Sequence, residues 1–262
     1  MNISEGAHLE AIATFAQTVS DDLLDIHADP DHNRSVFTMV GTWAPRELAT
    51  HVVDICNISQ HSGVHPRLGV VDVVPFIALD GSTEDDALRA RNEFAEWAAT
   101  RLKVPCFLYG PERTLPFIRK HAWVDLVPDV GPHAPHPTAG AMCVGVRPPL
   151  VAYNLWLTEP VSEARRIAAL IRNDNVRALG LEVGQFSQVS INLIAPELVG
   201  PHHVYDEVSK HCEIHHAELV GLLPARSLAP IPRVRWEQLD VSPQQTIEWQ
   251  LAQRSERLRN QE

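Results

Sequence analysis

The chain has 262 residues, 45% of them hydrophobic and 21% charged, a balance that suits a folded globular protein and excludes a disordered one. Its formal charge of −11 argues against a nucleic-acid partner, which needs surplus lysine and arginine, but is compatible with a local basic pocket for a small anion. No apolar run is long enough to span a bilayer, no secretory signal pattern opens the chain, and the four cysteines form no CxxC pair, so reduced thiols and a cytoplasmic location are expected.

In chain order, the pattern predicts a helix over residues 6–18, strands over 23–27 and 34–41, and a helix over 45–59. A valine-rich strand follows over 70–79. Ser82 and Asp85 give a capping-box-like start to a helix whose Leu88, Ala95, Ala98 and Leu102 share a face, and a strand over 104–109 closes this half. Only residues 1–3 remain to supply a first strand, so the first strand of this half is expected to be truncated. Residues 128–149 are rich in Pro and Gly, which predicts a structured loop rather than a helix or a central strand, lying at a cleft between two lobes.

The second half is more regular. A strand over 150–157 bounded by Pro149 and Pro160 leads to a helix with Ala164, Ile167, Ala168 and Ile171 on one face. Strands over 176–183 and 186–195 flank Gly184-Gln185 as in a hairpin, a helix begins near His203, and residues 217–224 close the unit. This β-α-β-β-α-β order is that of a ferredoxin-like unit. A Pro-spaced stretch then leads to a terminal helix with Ile247, Leu251 and Leu258 on one side. The expected division is 1–145, 146–228 and a 229–262 extension.

The sharpest local feature is His61-Ser-Gly-Val-His65-Pro66-Arg67-Leu-Gly69, immediately before the valine-rich strand. Pro66 biases His65 toward extended backbone, where an imidazole can serve as a base near neutral pH. Arg67 can grip a carboxylate in two-point fashion. Asp72 sits inside an apolar strand and needs a hydrogen-bond or ionic partner there. Two readings stand side by side: an acid–base loop, or a surface turn before a strand with a structural ion pair. A second polar run, His27 to Arg34, is either a plain turn or a place where Asn33 and Arg34 enter a cleft. Fourteen histidines raise a metal site, yet Cys212-x-x-His215-His216 and His133-x-x-His136 complete no closed ligand set, so no metal is expected. The phosphate-binding GxGxxG and GxxxxGK[ST] motifs and the hydrolase GxSxG motif are absent.

Taken in order, these segments resemble the motifs of glutamate formimidoyltransferases: Asn2-Ile-Ser-Glu-Gly6, the runs Asp31 to Gly41 and His61 to Phe76, Pro128-Asp-Val-Gly-Pro132, Ala139-Gly140 through Asn154, Ser187-Gln-Val-Ser-Ile-Asn192, and Glu218 to Pro224. The resemblance runs from residue 2 to about residue 226. It implies an α+β chain of two ferredoxin-like βαββαβ subdomains side by side, a substrate groove between them and commonly a homodimer. It also implies transfer of a formimino group from formiminoglutamate to N5 of tetrahydrofolate, the folate being a co-substrate. The histidine of the family's His-Pro-Arg motif falls on His65, with Asp72 placed beside it in the catalytic set. Glu218 matches a position near the folate site, and the 131–140 loop, with Gly131, Pro132 and Gly140, matches a folate-binding loop. Asn33, Arg34, Arg67, Asn154, Gln188 and Asn192 complete the expected substrate-binding set. The alternatives are a non-catalytic folate-binding paralogue and a transferase using another formimino donor.

Overall fold

In the computed structural model, which describes residues 1–64 and 66–260, contacts divide the chain into two units, Met1–Pro148 and Pro149–Glu262. The first unit carries a six-stranded sheet and the second a four-stranded one, so the chain is α+β.

In the first unit the order begins β1 (Asn2–Ile3), α1 (Leu9–Thr18), β2 (Leu23–Asp29), β3 (Arg34–Met39), α2 (Ala44–Ile55) and β4 (Val71–Phe76). It continues through α3 (Glu84–Trp97), β5 (Cys106–Tyr109), α4 (Leu115–His121) and β6 (Met142–Val146). The strands lie side by side as β2-β3-β1-β4-β6-β5. The first strand is short, at two residues, but it is central, pairing antiparallel with both β3 and β4. Ile3, Phe15, Phe37, Leu48, Val71 and Phe94 pack into the main core of this unit, which α1, α2 and α3 supply from one face of the sheet. A smaller core of Val73, Phe107, Tyr109, Ile118 and Cys143 forms where α4 packs on the sheet.

One expectation is corrected. Residues 142–146 are not loop: β6 is fully buried and runs parallel between β4 and β5. The prolines that argue against a strand stop at Pro137 and resume at Pro148, and Met142-Cys-Val-Gly-Val146 fits between them. A run of five apolar residues with both faces covered shows no alternation, so it gives little periodic signal of its own.

The second unit has the order β7 (Val151–Leu157), α5 (Val161–Ile171), β8 (Val176–Val183), β9 (Phe186–Leu193), α6 (Pro201–Val208) and β10 (Ile214–Val220), with strands arranged β10-β7-β9-β8. All pairings are antiparallel. One face of the sheet, with Tyr153, Leu155, Val189, Ile191 and Leu219, packs against Ile167, Ala168, Val204 and Val208 of the helices. Gly180 allows α5 its close approach to β8, since a Cβ there would stand 2.3 Å from the Arg165 backbone nitrogen. The chain then turns through α7 (Ala225–Leu228) and ends in α8 (Ile247–Arg259). Leu228, Ile231, Leu239 and Val241 add to the same core, and the buried Tyr153 hydroxyl donates to the Leu239 carbonyl at 2.8 Å. No buried residue lies on α8 itself.

Candidate functional site

Four loops of the first unit meet where the sheet gives out into turns. Ser4 follows β1, its amide donating to the Val70 carbonyl at 2.8 Å and its hydroxyl to the Gly69 carbonyl at 2.8 Å. The Gly6 amide donates to Asn33 Oδ1 at 3.0 Å, and Asn33 Nδ2 donates to the Ser62 carbonyl at 3.0 Å. Asn33 therefore clips the first loop to the 61–69 loop, from a left-handed backbone (φ 44°) that asparagine tolerates better than most residues. The fourth segment is the tight turn from His136 to Gly140. There His136 Nδ1 accepts from the Ala139 amide at 3.0 Å, and the Ile58 amide donates to the Thr138 carbonyl at 2.7 Å.

The charged groups centre on Asp72, only 1% exposed. The register of β1 against β4 sets Asn2 opposite Val73 and Ile3 opposite Val71, so Asp72 is the extra residue of a bulge. Bulges re-aim side chains, and this one turns a carboxylate toward arginines instead of into the apolar ladder. Arg119 of α4 takes both oxygens: Nη1 donates to Oδ1 at 2.8 Å and Nη2 to Oδ2. The Leu68 amide donates to Oδ1 at 2.8 Å, and Arg34 Nη1 reaches Oδ2 at 3.3 Å. Burial pushes the Asp72 carboxyl up, but the Arg119 and Arg34 guanidiniums and the Leu68 amide outweigh it and hold the group below its ordinary range. Burial brings Arg34 down to about 10, with Asp72 opposing and Arg119 and Arg67 adding to the fall.

Arg67 lies against the ring nitrogens of His61, and its Nη2 donates to the His32 carbonyl at 3.2 Å. His61 Nε2 faces the Asn33 carbonyl at 2.8 Å. Burial pushes the His61 imidazole down; the Asn33 carbonyl opposes the shift and the Arg67 guanidinium adds to it. His65 lies outside the described residues.

Of the expected site residues in this unit, Asn33, Arg34, Arg67, Asp72 and Gly140 come together. Gly131 and Pro132 are held differently: Gly131 packs on Ala99 and Pro105 at the start of β5, and Pro132 is exposed. In the second unit, alternation puts Asn154, Gln188, Asn192 and Glu218 on the sheet face away from the helices. Glu218 Oε2 accepts from Asn154 Nδ2 at 3.0 Å and from Trp156 Nε1 at 2.9 Å. The His216 ring stacks on Trp156 with centroids 5.2 Å apart. Gln188 is fully buried opposite Trp156, whereas Asn192 lies exposed at the far end of β9 opposite Ala152.

Sequence reasoning missed Arg119. Its partner lies 47 residues away, and α4 spans seven residues, so no local pattern links the two. The available signal was Thr114-Leu-Pro116, a helix-start pattern with the threonine as N-cap. Among the described residues no group of three or more His, Cys, Asp or Glu is placed to hold a metal ion, and no helix is long and apolar enough to cross a membrane.

Fold and site together define an α+β protein whose first unit gathers three arginines, a buried carboxylate and a histidine-bearing loop at one place. Residues 1–147 match the family model described as the formiminotransferase domain, N-terminal subdomain. The formimidoyltransferase-cyclodeaminase of Rattus norvegicus is 33% identical over 269 residues, covering 87% of this chain and 50% of that protein. Glutamate formimidoyltransferase of Streptococcus pyogenes serotype M1 is 31% identical over 267 residues, covering 88% of this chain and 89% of that protein. The glutamate formimidoyltransferase of Thermoplasma acidophilum is 26% identical, with the same two coverages, 88% and 89%. The chain spans about half the length of the first curated relatives it matches. The chain belongs to the formiminotransferase family.

Proposed function

We propose that this protein is a glutamate formimidoyltransferase, moving a formimino group from formiminoglutamate to N5 of tetrahydrofolate. The observation that carries the reading is the convergence of the family's separated motifs. Ser4 bonds to Gly69, Gly6 to Asn33, Asn33 to Ser62, Val70 to Ala139 and Ala141 to Leu68, so these segments hydrogen-bond to one another although they lie far apart in sequence. The match to relatives named glutamate formimidoyltransferase, over 88% of this chain and 89% of each of them, supports it further.

In this reading N5 of tetrahydrofolate attacks the formimino carbon, and His65 takes the N5 proton as the tetrahedral intermediate forms. The bond from that carbon to the glutamate nitrogen then breaks, and His65 returns the proton to that nitrogen. The products are 5-formiminotetrahydrofolate and glutamate. Arg34 and Arg67 bind the donor's carboxylates, for which guanidinium geometry is suited. Asp72 acts as an ionised anchor, since its oxygens already accept from Arg119, Arg34 and Leu68. Asn33 and Gly140 shape the loops, while Gly131 and Pro132 belong to a loop assigned to the folate. Asn154, Gln188, Asn192 and Glu218 form a polar face assigned to the same co-substrate.

The strand orders β2-β3-β1-β4 and β8-β9-β7-β10 support describing both units as ferredoxin-like, with β6 and β5 added to the first. A homodimer and a cytoplasmic location complete the proposal.

The test is direct detection of 5-formiminotetrahydrofolate from formiminoglutamate and tetrahydrofolate, with formiminoglycine as a parallel donor. Product from formiminoglutamate supports the reading. Product from formiminoglycine alone assigns another donor, and binding of tetrahydrofolate without product from either donor identifies a non-catalytic paralogue.

A further inference from the structure

Arg119 has no part in the chemistry described above, yet it grips both carboxylate oxygens of Asp72. It approaches Asp72 from α4, where Thr114 caps the helix and the fully buried Ile118 pins it to the sheet. An ionised carboxylate offers about four acceptor positions. Arg119 uses one on each oxygen, Leu68 uses one on Oδ1, and the remaining contact on Oδ2 goes to Arg34 through one nitrogen at 3.3 Å. The competition between the two arginines is thus already decided. On Asp72, Arg119 has the two-point grip and Arg34 one longer contact. A buried carboxylate deprived of Arg119 would draw Arg34 into the vacated two-point geometry, because an uncompensated buried charge is costly.

We infer that Arg119 is a positioning residue for substrate binding: by saturating Asp72 from the α4 side, it keeps Arg34 directed at the loop cluster, where it receives a carboxylate of the amino-acid donor. This rests on the reading of that cluster as the donor site. The same contact reaches the backbone, since Asp72 also fixes the Leu68 amide in the loop that carries Arg67.

The experiment compares the parent, Arg119→Met, and the double variant Asp72→Asn/Arg119→Met, each first verified as folded by thermal melting. In Arg119→Met the donor KM should rise about tenfold, the scale of one lost charge-assisted contact, with the tetrahydrofolate KM changed less than about twofold. In the double variant no carboxylate is left to capture Arg34, so the donor KM should fall back from its Arg119→Met value, while kcat is not expected to recover because Asp72 also anchors the Leu68 amide. This reversal is not expected of a merely structural residue, whose second mutation would add damage. Both KM values moving together, or a double variant no better than the single one, overturns the inference. If Arg119→Met does not fold, Arg119→Lys takes its place. A lysine keeps the charge but lacks the two-point geometry, so a smaller rise in donor KM, again reversed by Asp72→Asn, is expected. If the parent yields no product from formiminoglutamate, the assignment of that donor fails, and calorimetric binding of L-glutamate then decides the positioning role. Binding should be tight in the parent and the double variant and weak in Arg119→Met. Equal binding in all three, or none to the parent, overturns it.

Discussion

Gly69 and Gly140 pair as an isolated antiparallel bridge, joining the loop before β4 to the turn before β6. The Val70 amide donates to the Ala139 carbonyl at 3.0 Å and the Ala141 amide to the Leu68 carbonyl at 3.0 Å. The backbones approach so closely that a Cβ on Gly140 would stand 2.2 Å from the Leu68 carbonyl oxygen, and its φ of +72° already disfavours any other residue.

Gly140→Ala should therefore loosen the loop cluster locally. The left-handed backbone alone costs an alanine about 1–3 kcal/mol, and the clash adds to it. Hydrogen exchange should quicken at the Val70 and Ala141 amides while the Ile191 amide in the second unit keeps its protection. Unchanged exchange at Val70 and Ala141 would show that the bridge does not hold these loops.

Asp72 should govern acid stability of the first unit. Its folded pKa lies below the ordinary value of 3.8, so its ionised form stabilises the protein above that pH, and the contribution is lost as pH falls through the lower folded value. Asp72→Asn leaves Arg119 and Arg34 without their shared carboxylate and should cost about 3–5 kcal/mol at pH 7. Urea unfolding at pH 7 and pH 3 checks both parts: the parent should lose stability between these values, and the variant should lose less.

Glu218 joins two strands through one oxygen, accepting from Asn154 and Trp156. Glu218→Ala removes that acceptor and should destabilise the second unit by about 1–3 kcal/mol, whereas Glu218→Gln keeps an oxygen in place and should cost less. Under the folate assignment the alanine variant should also raise the tetrahydrofolate KM more than the donor KM. Equal stability of the alanine and glutamine variants would remove Glu218 from this role.

Tyr153→Phe tests how the segment after β10 is fastened. The hydroxyl spans 86 residues to the Leu239 carbonyl and is buried, so its loss should cost about 1 kcal/mol. Exchange should rise at the amides of residues 239–241 before it rises within β7.

The second unit was legible in the sequence because its signals are local. Ala164, Ile167, Ala168 and Ile171 repeat at helical spacing and are all buried in α5, and Gly184, at φ +58°, sits in the turn between β8 and β9. The first unit hides its decisive features. β1 is two residues long, β6 is an apolar pentapeptide among prolines, and the bulge that aims Asp72 exists only in the pairing of β1 with β4. Burial of Asp72 in an apolar strand did require a partner, and composition could not say which arginine it would be. That choice depends on α4 packing through Ile118, a tertiary fact without a sequence period.

The most direct test of the transferase reading is single-turnover formation of 5-formiminotetrahydrofolate by the parent and by His65→Ala. The expected result is product from the parent and a rate lower by about 10²–10⁴-fold in the variant, the range of a lost general acid–base. A parent that forms no product, or a His65→Ala variant that matches its rate, would contradict it.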